Sequence, residues 1–294
     1  MSAADRGPSR LDGNRIWRVE TPHGPVLQKL YAERGSWLHA WGRELASRLR
    51  GGKTGTRAVS RRATEARLLA LWREHGCDVP ADLSARHPAL ANERTLVLEF
   101  IAGRRLSELL ADAALPRPRR DALIGRFAAD ASARHARARE FREAALVQEH
   151  GGVQHVLVAP PASARGTEPA DIVAFAAGEL RFATFDLENA FTARRSLAPL
   201  LAKEIAGCVR SLARCGRPDE ARLAADVAAF VRGYGDRTML VAATDFFLRN
   251  ASPAWRAVWA LDRWREERRG REHGKFVMLE MLDDNLVHAD SAHA

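Results

Sequence analysis

With 294 residues, the chain is long enough to form one large domain or two lobes and to bury a sizeable hydrophobic core. Its content of 46% hydrophobic and 28% charged residues is typical of a soluble globular protein. We find no apolar run of about 18 residues, so a membrane-spanning protein is not expected. The net charge of +9 indicates an anionic partner, such as a nucleotide, a phosphorylated glycan, an anionic membrane surface or a nucleic acid, unless it reflects genomic base composition.

The N-terminus and the cysteines predict a cytoplasmic protein. Residues 1–8 lack the apolar segment of a signal peptide. Cys77, Cys208 and Cys215 are odd in number and lack the spacing of metal ligands, which argues against both a disulfide framework and a zinc site. We therefore expect reduced, structural thiols.

A β-hairpin is predicted near the N-terminus. Two segments with strand character, 16–19 and 25–31, are separated by a Pro-His-Gly turn. Lys29 lies on the same strand face as Leu27 and Tyr31, between two large apolar side chains. Such a lysine either guards an exposed sheet edge or serves as a functional cation.

Two helices are predicted next. Residues 36–49 have helical spacing and lead into a glycine-rich basic linker at 51–56, which lacks the full pattern of a phosphate-binding loop. A second helix extends from about Arg61 to His75 and carries Glu65 on its apolar face. That carboxylate either pairs with a buried cation or only favours the helix dipole.

A lobe boundary is predicted where a strand leaves through glycine into a helix. The strand is the apolar run at 95–101, and the helix begins near Leu106. We therefore expect one domain at 1–101 and a second, mainly helical domain at 102–294. Helical patterns within the second domain occur at 121–143, 199–215, 219–234 and 254–268.

Two further stretches carry residues that could do chemistry. His150 and His155 fall in a glycine-containing loop before an apolar strand, and they could be metal ligands or acid/base groups. Residues 180–189 predict a short buried strand that delivers Asp186 to its end. A buried acid needs a cation or a metal ion to offset its desolvation, although an aspartate can also simply open a turn.

In chain order, these features resemble the protein-kinase-like fold, in particular the lipopolysaccharide kinase family that includes the heptose kinases and the InaA-type proteins. The resemblance runs from about residue 18 to 215, and its most specific part is the Phe-Asp-Leu-Glu-Asn-Ala motif at 185–190. It implies an α+β, protein-kinase-like two-lobed fold with a small β-rich N-lobe and a mainly helical C-lobe.

The resemblance also implies roles for individual residues. Lys29 would hold the α- and β-phosphates of ATP, and Glu65 would fix this lysine through an ion pair. Asp186 would bind Mg²⁺, a hard cation suited to carboxylate oxygens, and His155 stands where kinases usually place a metal-binding asparagine. Backbone groups that contact the adenine would come from Glu99, Phe100 and Ile101.

The loop around His150 departs from the family pattern. Aligned without gaps, His150 stands in the place of the catalytic aspartate; with two residues deleted from the loop, Gly152 replaces it instead. The catalytic aspartate is missing in both alignments. Because histidine can accept a proton, the resemblance implies either a kinase with His150 as its base or a nucleotide-binding pseudokinase.

Three functional hypotheses follow. The first is an ATP-dependent kinase of lipopolysaccharide core sugars at the cytosolic face of the inner membrane, where basic residues between Arg43 and Arg67 could meet an anionic glycolipid. The second is a pseudokinase that acts as a regulatory or scaffold protein in envelope assembly. The third, a nucleic-acid binder, rests on charge alone, and we expect no nucleic-acid partner.

Overall fold

The computed structural model describes most of the chain. The described residues are 9–11, 14–33, 57–148, 151–161, 172, 175–188, 196–216, 219–249, 252–268 and 274–291. The helix predicted over 36–49, the linker at 51–56 and His150 lie outside them.

The chain divides into two compact units. The N-terminal unit comprises Met1–Ala102, Ala144–Gln148 and Ala183–Arg195. The helical unit comprises Gly103–Glu143, Glu149–Phe182 and Ser196–Ala294. The first segment ends one residue after the lobe boundary expected from the sequence, but two later segments also belong to the N-terminal unit. The division into domains at 1–101 and 102–294 stays a prediction.

An antiparallel sheet with the strand order β1-β2-β3-β4 forms the body of the N-terminal unit. The strands are β1 (Ser9–Leu11), β2 (Asn14–Thr21), β3 (Gly24–Leu30) and β4 (Thr95–Glu99). The predicted hairpin is present as β2 and β3, and Gly24 at its turn has a φ of 103°, which favours glycine. Lys29 pairs with Ile16 on one side and Leu96 on the other. Since β3 is an inner strand, Lys29 is not an edge guard.

One described helix, α1 (Ala58–Glu74), packs in the N-terminal unit. It begins three residues before the predicted start and ends at Glu74, and Gly76 just beyond it has a φ of 66°, which suits the C-terminal turn. Trp72 on its buried face donates a hydrogen bond from Nε1 to the carbonyl of Ala145 at 2.9 Å. This bond ties residues 144–148 to the N-terminal unit.

The helical unit contains most of the remaining elements. Its described α-helices are α2 (Leu106–Ala111), α3 (Arg117–Glu140), α4 (Leu197–Leu212), α5 (Glu220–Tyr234), α6 (Arg237–Thr244), α7 (Pro253–Arg268) and α8 (Lys275–Ser291). A second sheet has the order β5-β6-β7, with strands β5 (Arg104–Arg105), β6 (Val156–Ala159) and β7 (Arg181–Thr184). Sequence patterns predicted α4, α5 and α7 within a few residues, but they did not predict α6 or α8.

Helix α3 begins earlier than predicted. The helical pattern in the sequence begins at residue 121, yet the helix starts at Arg117, between Pro116 and Pro118. Proline is tolerated in the first turn because the N–H groups there have no partner within the helix. Pro118 therefore belongs to the helix start.

Helices α3 and α5 cross in direct backbone contact. A Cβ atom added at Gly233 of α5 would collide with the main chain of Gly125 on α3. Phe127 and Phe230 pack beside this crossing with ring centroids 6.2 Å apart. The crossing contributes to the main hydrophobic core of the helical unit, which α2, α4, α6 and α8 also share.

The predicted α+β class is confirmed, with a small β-rich N-terminal part and a mainly helical remainder. These are the parts expected of a two-lobed protein-kinase-like fold. In the portion of the chain that the structure describes, no helix is both long and apolar enough to cross a membrane. The cytoplasmic location stays a prediction.

Candidate functional site

Lys29 lies within a buried polar cluster of the N-terminal unit. Its Nζ donates to Glu65 Oε2 at 2.7 Å and to Asp186 Oδ1 at 2.8 Å. The side chains of Lys29 and Glu65 are 4% and 2% exposed, whereas that of Asp186 is 21% exposed. Strand β3, helix α1 and the segment after β7 thus bring together three residues singled out in the sequence, and Asp186 is the one that solvent reaches best.

The charges of the cluster keep Lys29 protonated. Burial acts to lower the pKa of Lys29, but the carboxylates of Glu65, Asp186 and Glu188 outweigh it and raise this pKa above its ordinary value. Burial raises the pKa of Glu65 despite the adjacent ammonium group. Tyr31 donates its hydroxyl to Glu65 Oε2, and its own pKa is raised by burial and by the Glu65 charge. Glu65 Oε2 therefore accepts two hydrogen bonds.

Asp186 has an unusual backbone conformation. Its φ of 66° lies in the left-handed region, which costs a non-glycine residue about 1–3 kcal/mol unless the surroundings hold it. The end of β7 just before it is fixed by a hydrogen bond of 2.9 Å from the Thr184 N–H to the Asp78 carbonyl. The carboxylate meets an ammonium group 157 residues away in the chain. Asp186 is thus more than an aspartate that opens a turn.

A second buried cluster lies in the same unit and was missed by sequence reasoning. Arg61 donates to Glu188 Oε2 and to Asn14 Oδ1, both at 3.0 Å, and Asn14 Nδ2 donates to Glu188 Oε2 at 2.7 Å. Arg61 and Asn14 are each 1% exposed and Glu188 is 3% exposed. One observation could have pointed to Arg61: it precedes Glu65 by four residues and so shares its helix face.

The two clusters together suit a divalent cation. Glu65, Asp186 and Glu188 each have a carboxylate oxygen within 4.8 Å of the other two. Lys29 and Arg61 supply two positive charges against these three negative ones, so negative charge is in excess beside the partly exposed Asp186. Mg²⁺ binds through one or two carboxylates together with water and substrate phosphates, and this donor set fits that chemistry.

His155 was also predicted to be a metal ligand. It lies in the helical unit, in a short 3₁₀ turn that precedes β6. Its role in binding a metal stays a prediction.

The segment predicted to contact adenine has one backbone donor already in use. The N–H of Glu99 donates to the Ala81 carbonyl at 2.8 Å, and the Ala81 N–H donates back to Glu99 Oε2 at 3.1 Å. The guanidinium of Arg18 lies 4.6 Å from the ring centroid of Phe100. Contacts with an adenine would have to come from other backbone groups of Glu99, Phe100 and Ile101, whose role stays a prediction.

Two glycines of the predicted catalytic loop pack tightly in the helical unit. A Cβ atom at Gly151 would lie 2.6 Å from Glu204 Cγ. At Gly152 it would lie 2.6 Å from Gln154 Oε1 and 3.0 Å from Ser211 Cβ. Since real Cβ atoms require more space, an aspartate at position 152 would not fit without rearrangement.

A buried ionic network lies next to this loop in the helical unit. Arg134 donates to both carboxylate oxygens of Glu204, at 2.5 and 3.1 Å, and His135 Nε2 lies 3.2 Å from Glu204 Oε2. His135 Nδ1 is 2.8 Å from the Tyr234 hydroxyl. Burial opposes ionisation of Glu204, but Arg134 and His135 prevail and lower its pKa to about 2. His135 thus lies in a buried network with Glu204 and Tyr234.

Fold and site define an α+β protein whose β-rich unit holds a buried lysine between two carboxylates. No protein-family model and no curated protein matches the chain. A solved structure described as WaaP in complex with acyl carrier protein is similar to it, with a TM-score of 0.48 and 15% sequence identity, over 87% of this chain and 86% of that chain. Such a similarity supports no conclusion about activity.

Proposed function

We propose that the protein is an ATP-dependent phosphotransferase similar to the kinases that act on lipopolysaccharide core sugars such as heptose. The observation that carries this proposal is the buried Lys29 ammonium group, held between Glu65 and Asp186 from separate parts of the chain. A charged lysine beside an excess of carboxylate is suited to binding the phosphates of a nucleotide together with a divalent cation. The motif at 185–190, which resembles that of the lipopolysaccharide kinases, supports the same assignment.

Each residue has a proposed role. Lys29 binds the α- and β-phosphates, while Glu65, with Tyr31 bonded to it, fixes the position of the lysine. Asp186 holds Mg²⁺, which supplies positive charge to the phosphates when it is bound. His150 accepts the proton of the acceptor hydroxyl.

The proposed acceptor is an anionic glycolipid of the lipopolysaccharide core, met at the cytosolic face of the inner membrane. The net charge of +9 and the basic residues between Arg43 and Arg67 support this choice, because they attract anionic head groups.

The metal and nucleotide roles can be tested by thermal unfolding with Mg²⁺ and ATP. We expect the melting temperature of the wild type to rise, since a ligand at 100 times its Kd stabilises the folded state by about 2.7 kcal/mol. Asp186→Asn should lose the part of this shift that depends on Mg²⁺. Asp130→Asn, which alters a half-exposed surface pair of α3, is the control. An unchanged shift in Asp186→Asn would exclude Asp186 as the metal ligand.

A nucleotide-binding pseudokinase in envelope assembly is the second candidate function. The loop sequence favours it, because Gly152, which has no proton-accepting side chain, replaces the catalytic aspartate when two residues are deleted from the loop. Both candidates bind ATP, but only a kinase converts it to ADP in the presence of lipopolysaccharide core. A phosphate-transfer assay on lipopolysaccharide from a strain lacking the protein distinguishes them. If transfer occurs and His150→Ala leaves its rate unchanged, His150 is not the base.

A further inference from the structure

Arg61 connects three separate segments of the N-terminal unit. Its guanidinium donates to Asn14 at the start of β2, to Glu188 beyond β7, and to the carbonyl of Ala32 just after β3. The side chain is 1% exposed. A planar guanidinium with donors in a fixed arrangement sets the direction of such contacts better than a flexible ammonium group would.

Arg61 forms a second link between the two elements that the lysine site already joins, α1 and the segment after β7. Arg61 and Glu65 are one turn apart on α1, and Glu188 and Asp186 are two residues apart after β7. The helix therefore reaches the same short segment twice. One link runs from Glu65 through Lys29 to Asp186, and the other runs directly from Arg61 to Glu188.

The strained backbone of Asp186 makes the second link important. A left-handed φ at a non-glycine residue persists only where its neighbours determine the conformation. Before Asp186, the hydrogen bond from Thr184 to Asp78 holds the end of β7. After Asp186, the buried contacts of Glu188 with Arg61 and Asn14 hold the chain.

We propose that Arg61 is a positioning residue, which anchors Glu188 and thereby keeps the Asp186 carboxylate oriented to receive the metal ion. The inference rests on the proposed function, because it assumes that Asp186 binds a divalent cation. It also assigns different roles to the two acids of the Asp-Leu-Glu sequence. Asp186 is the metal ligand, whereas Glu188, which is 3% exposed and bonded to Arg61 and Asn14, is an anchor.

Binding of Mn²⁺ tests this assignment. Mn²⁺ would replace Mg²⁺ as a paramagnetic probe, with its affinity measured by electron paramagnetic resonance in the presence of ATP. We expect Arg61→Gln to weaken Mn²⁺ binding by about 10- to 100-fold, as is typical when a residue that orients a metal ligand is removed. Affinity for ATP without metal should be unchanged, because Lys29 and Glu65 keep their pairing.

Charge-matched variants separate positioning from general damage to the fold. In Arg61→Gln/Glu188→Gln no buried charge remains unpaired, so the free energy of unfolding should recover, but the anchoring guanidinium is still absent and Mn²⁺ binding should stay weak. Glu188→Gln alone keeps the side-chain size and should weaken Mn²⁺ binding in the same direction as Arg61→Gln, which provides a test even if the latter does not fold. Arg86→Gln, at an exposed position, is the control and should bind like the wild type.

The outcomes distinguish the two proposals. The inference is overturned if a folded Arg61→Gln variant, or Glu188→Gln in its place, binds Mn²⁺ as tightly as the wild type. It is also overturned if the variant loses metal-dependent and metal-free ATP binding equally. If the wild type itself binds neither ATP nor Mn²⁺ with ATP, the proposed function fails, and this inference fails with it.

Discussion

Lys29 owes its charge to its neighbours. An ammonium group that is 3% exposed would lose its proton readily, but carboxylates on two sides reverse this tendency. Glu65 depends on Lys29 in turn, since without the lysine it would be a buried carboxylate with no cation beside it. Removal of one partner from such a pair costs more than the removal of both.

A first prediction concerns this pair. Lys29→Met should lower the free energy of unfolding by about 3 kcal/mol or more, because Glu65 then keeps Tyr31 but loses its cation. Lys29→Met/Glu65→Gln should recover most of the loss. Urea unfolding measures both values. A loss below about 1 kcal/mol in the single variant would mean that the pair contributes no more than a surface ion pair.

A second prediction concerns acid stability in the helical unit. The pKa of Glu204 is lowered from 4.5 to about 2 by Arg134 and His135 despite burial, and burial lowers the pKa of His135 below 6.5. Both groups bind protons less readily in the folded state than in the unfolded state. Their contribution to the free energy of unfolding should therefore be fully present above about pH 6.5 and be lost as the pH falls towards 2.

Glu204→Gln isolates the acidic part of this effect. It should destabilise the protein at pH 7 by about 3 kcal/mol, from the size of the pKa shift, and the difference from the wild type should shrink as the pH falls from 4.5 to 2. Urea unfolding at a series of pH values measures the difference. Glu140→Gln, at an exposed position of α3, is the control and should show no such convergence. A difference independent of pH would contradict the assignment of the charge to Glu204.

At the residue level, the sequence marked Lys29, Glu65 and Asp186 one by one as charged residues in apolar patterns, and the resemblance to the kinase-like fold implied that they form a set. It did not predict Arg61 as their neighbour. Glu188 stands out in the sequence only as part of the motif at 185–190, and no local feature marks Asn14. The hydrogen bond between Asn14 and Glu188 joins residues 174 positions apart, and no local pattern encodes such a distance.

At the scale of elements, helix α4 determines where the loop at Gly151 lies. This helix presents Glu204, Gly207 and Ser211 on one face. A Cβ atom at Gly207 would lie 2.9 Å from the Gly151 carbonyl oxygen, and Ser211 Oγ accepts the Val153 N–H at 3.1 Å. The position of the loop thus depends on small residues on α4.

A third prediction tests this packing. Gly151→Ala should destabilise the protein by about 1–3 kcal/mol, because its Cβ would lie 2.6 Å from Glu204 Cγ, an atom held by the ion pair with Arg134. Gly178→Ala is the matched control, since a Cβ there meets nothing within 4 Å. Both are measured by thermal unfolding. Equal stability of the two variants would show that the loop can move away from α4 at little cost.

Some elements could not be predicted because their patterns are weak. Helix α6 has eight residues, two of which are threonine and one valine, and it continues into a π-helical segment at Asp245–Arg249. β-branched residues have low helix propensity, so tertiary packing of Leu240 and Ala243 determines this helix. Helix α8, which the sequence patterns also did not predict, continues to Ser291.

At the scale of the whole molecule, part of the basic charge is used inside the fold. Arg61, Arg120 and Arg134 are buried and paired with Glu188, Asp226 and Glu204. These arginines add to the basic composition of the chain but do not form a surface for a polyanion. Since each pair is neutral as a whole, the number of arginines overstates the basic surface that a nucleic acid could meet, although the net charge of +9 is unaffected.

A fourth prediction follows for duplex DNA. We expect any binding at low salt to be weak and to disappear by about 0.2 M salt, as for non-specific contacts with phosphates. Fluorescence anisotropy with a labelled duplex at a series of salt concentrations measures this. Tight binding that persists at about 0.2 M salt would instead favour the nucleic-acid hypothesis.

The contact between Gly125 and Gly233 has a consequence for the recognition of distant relatives. Any side chain at Gly233 would force α3 and α5 apart, because its first atom already meets the opposite main chain. A relative that keeps this helix crossing needs glycine at the position equivalent to Gly233 and a very close main chain opposite it, whatever happens to the rest of its sequence. A pair of glycines at the positions equivalent to Gly125 and Gly233 could therefore identify the helical unit in proteins whose sequence identity to this chain is too low to reveal a relationship.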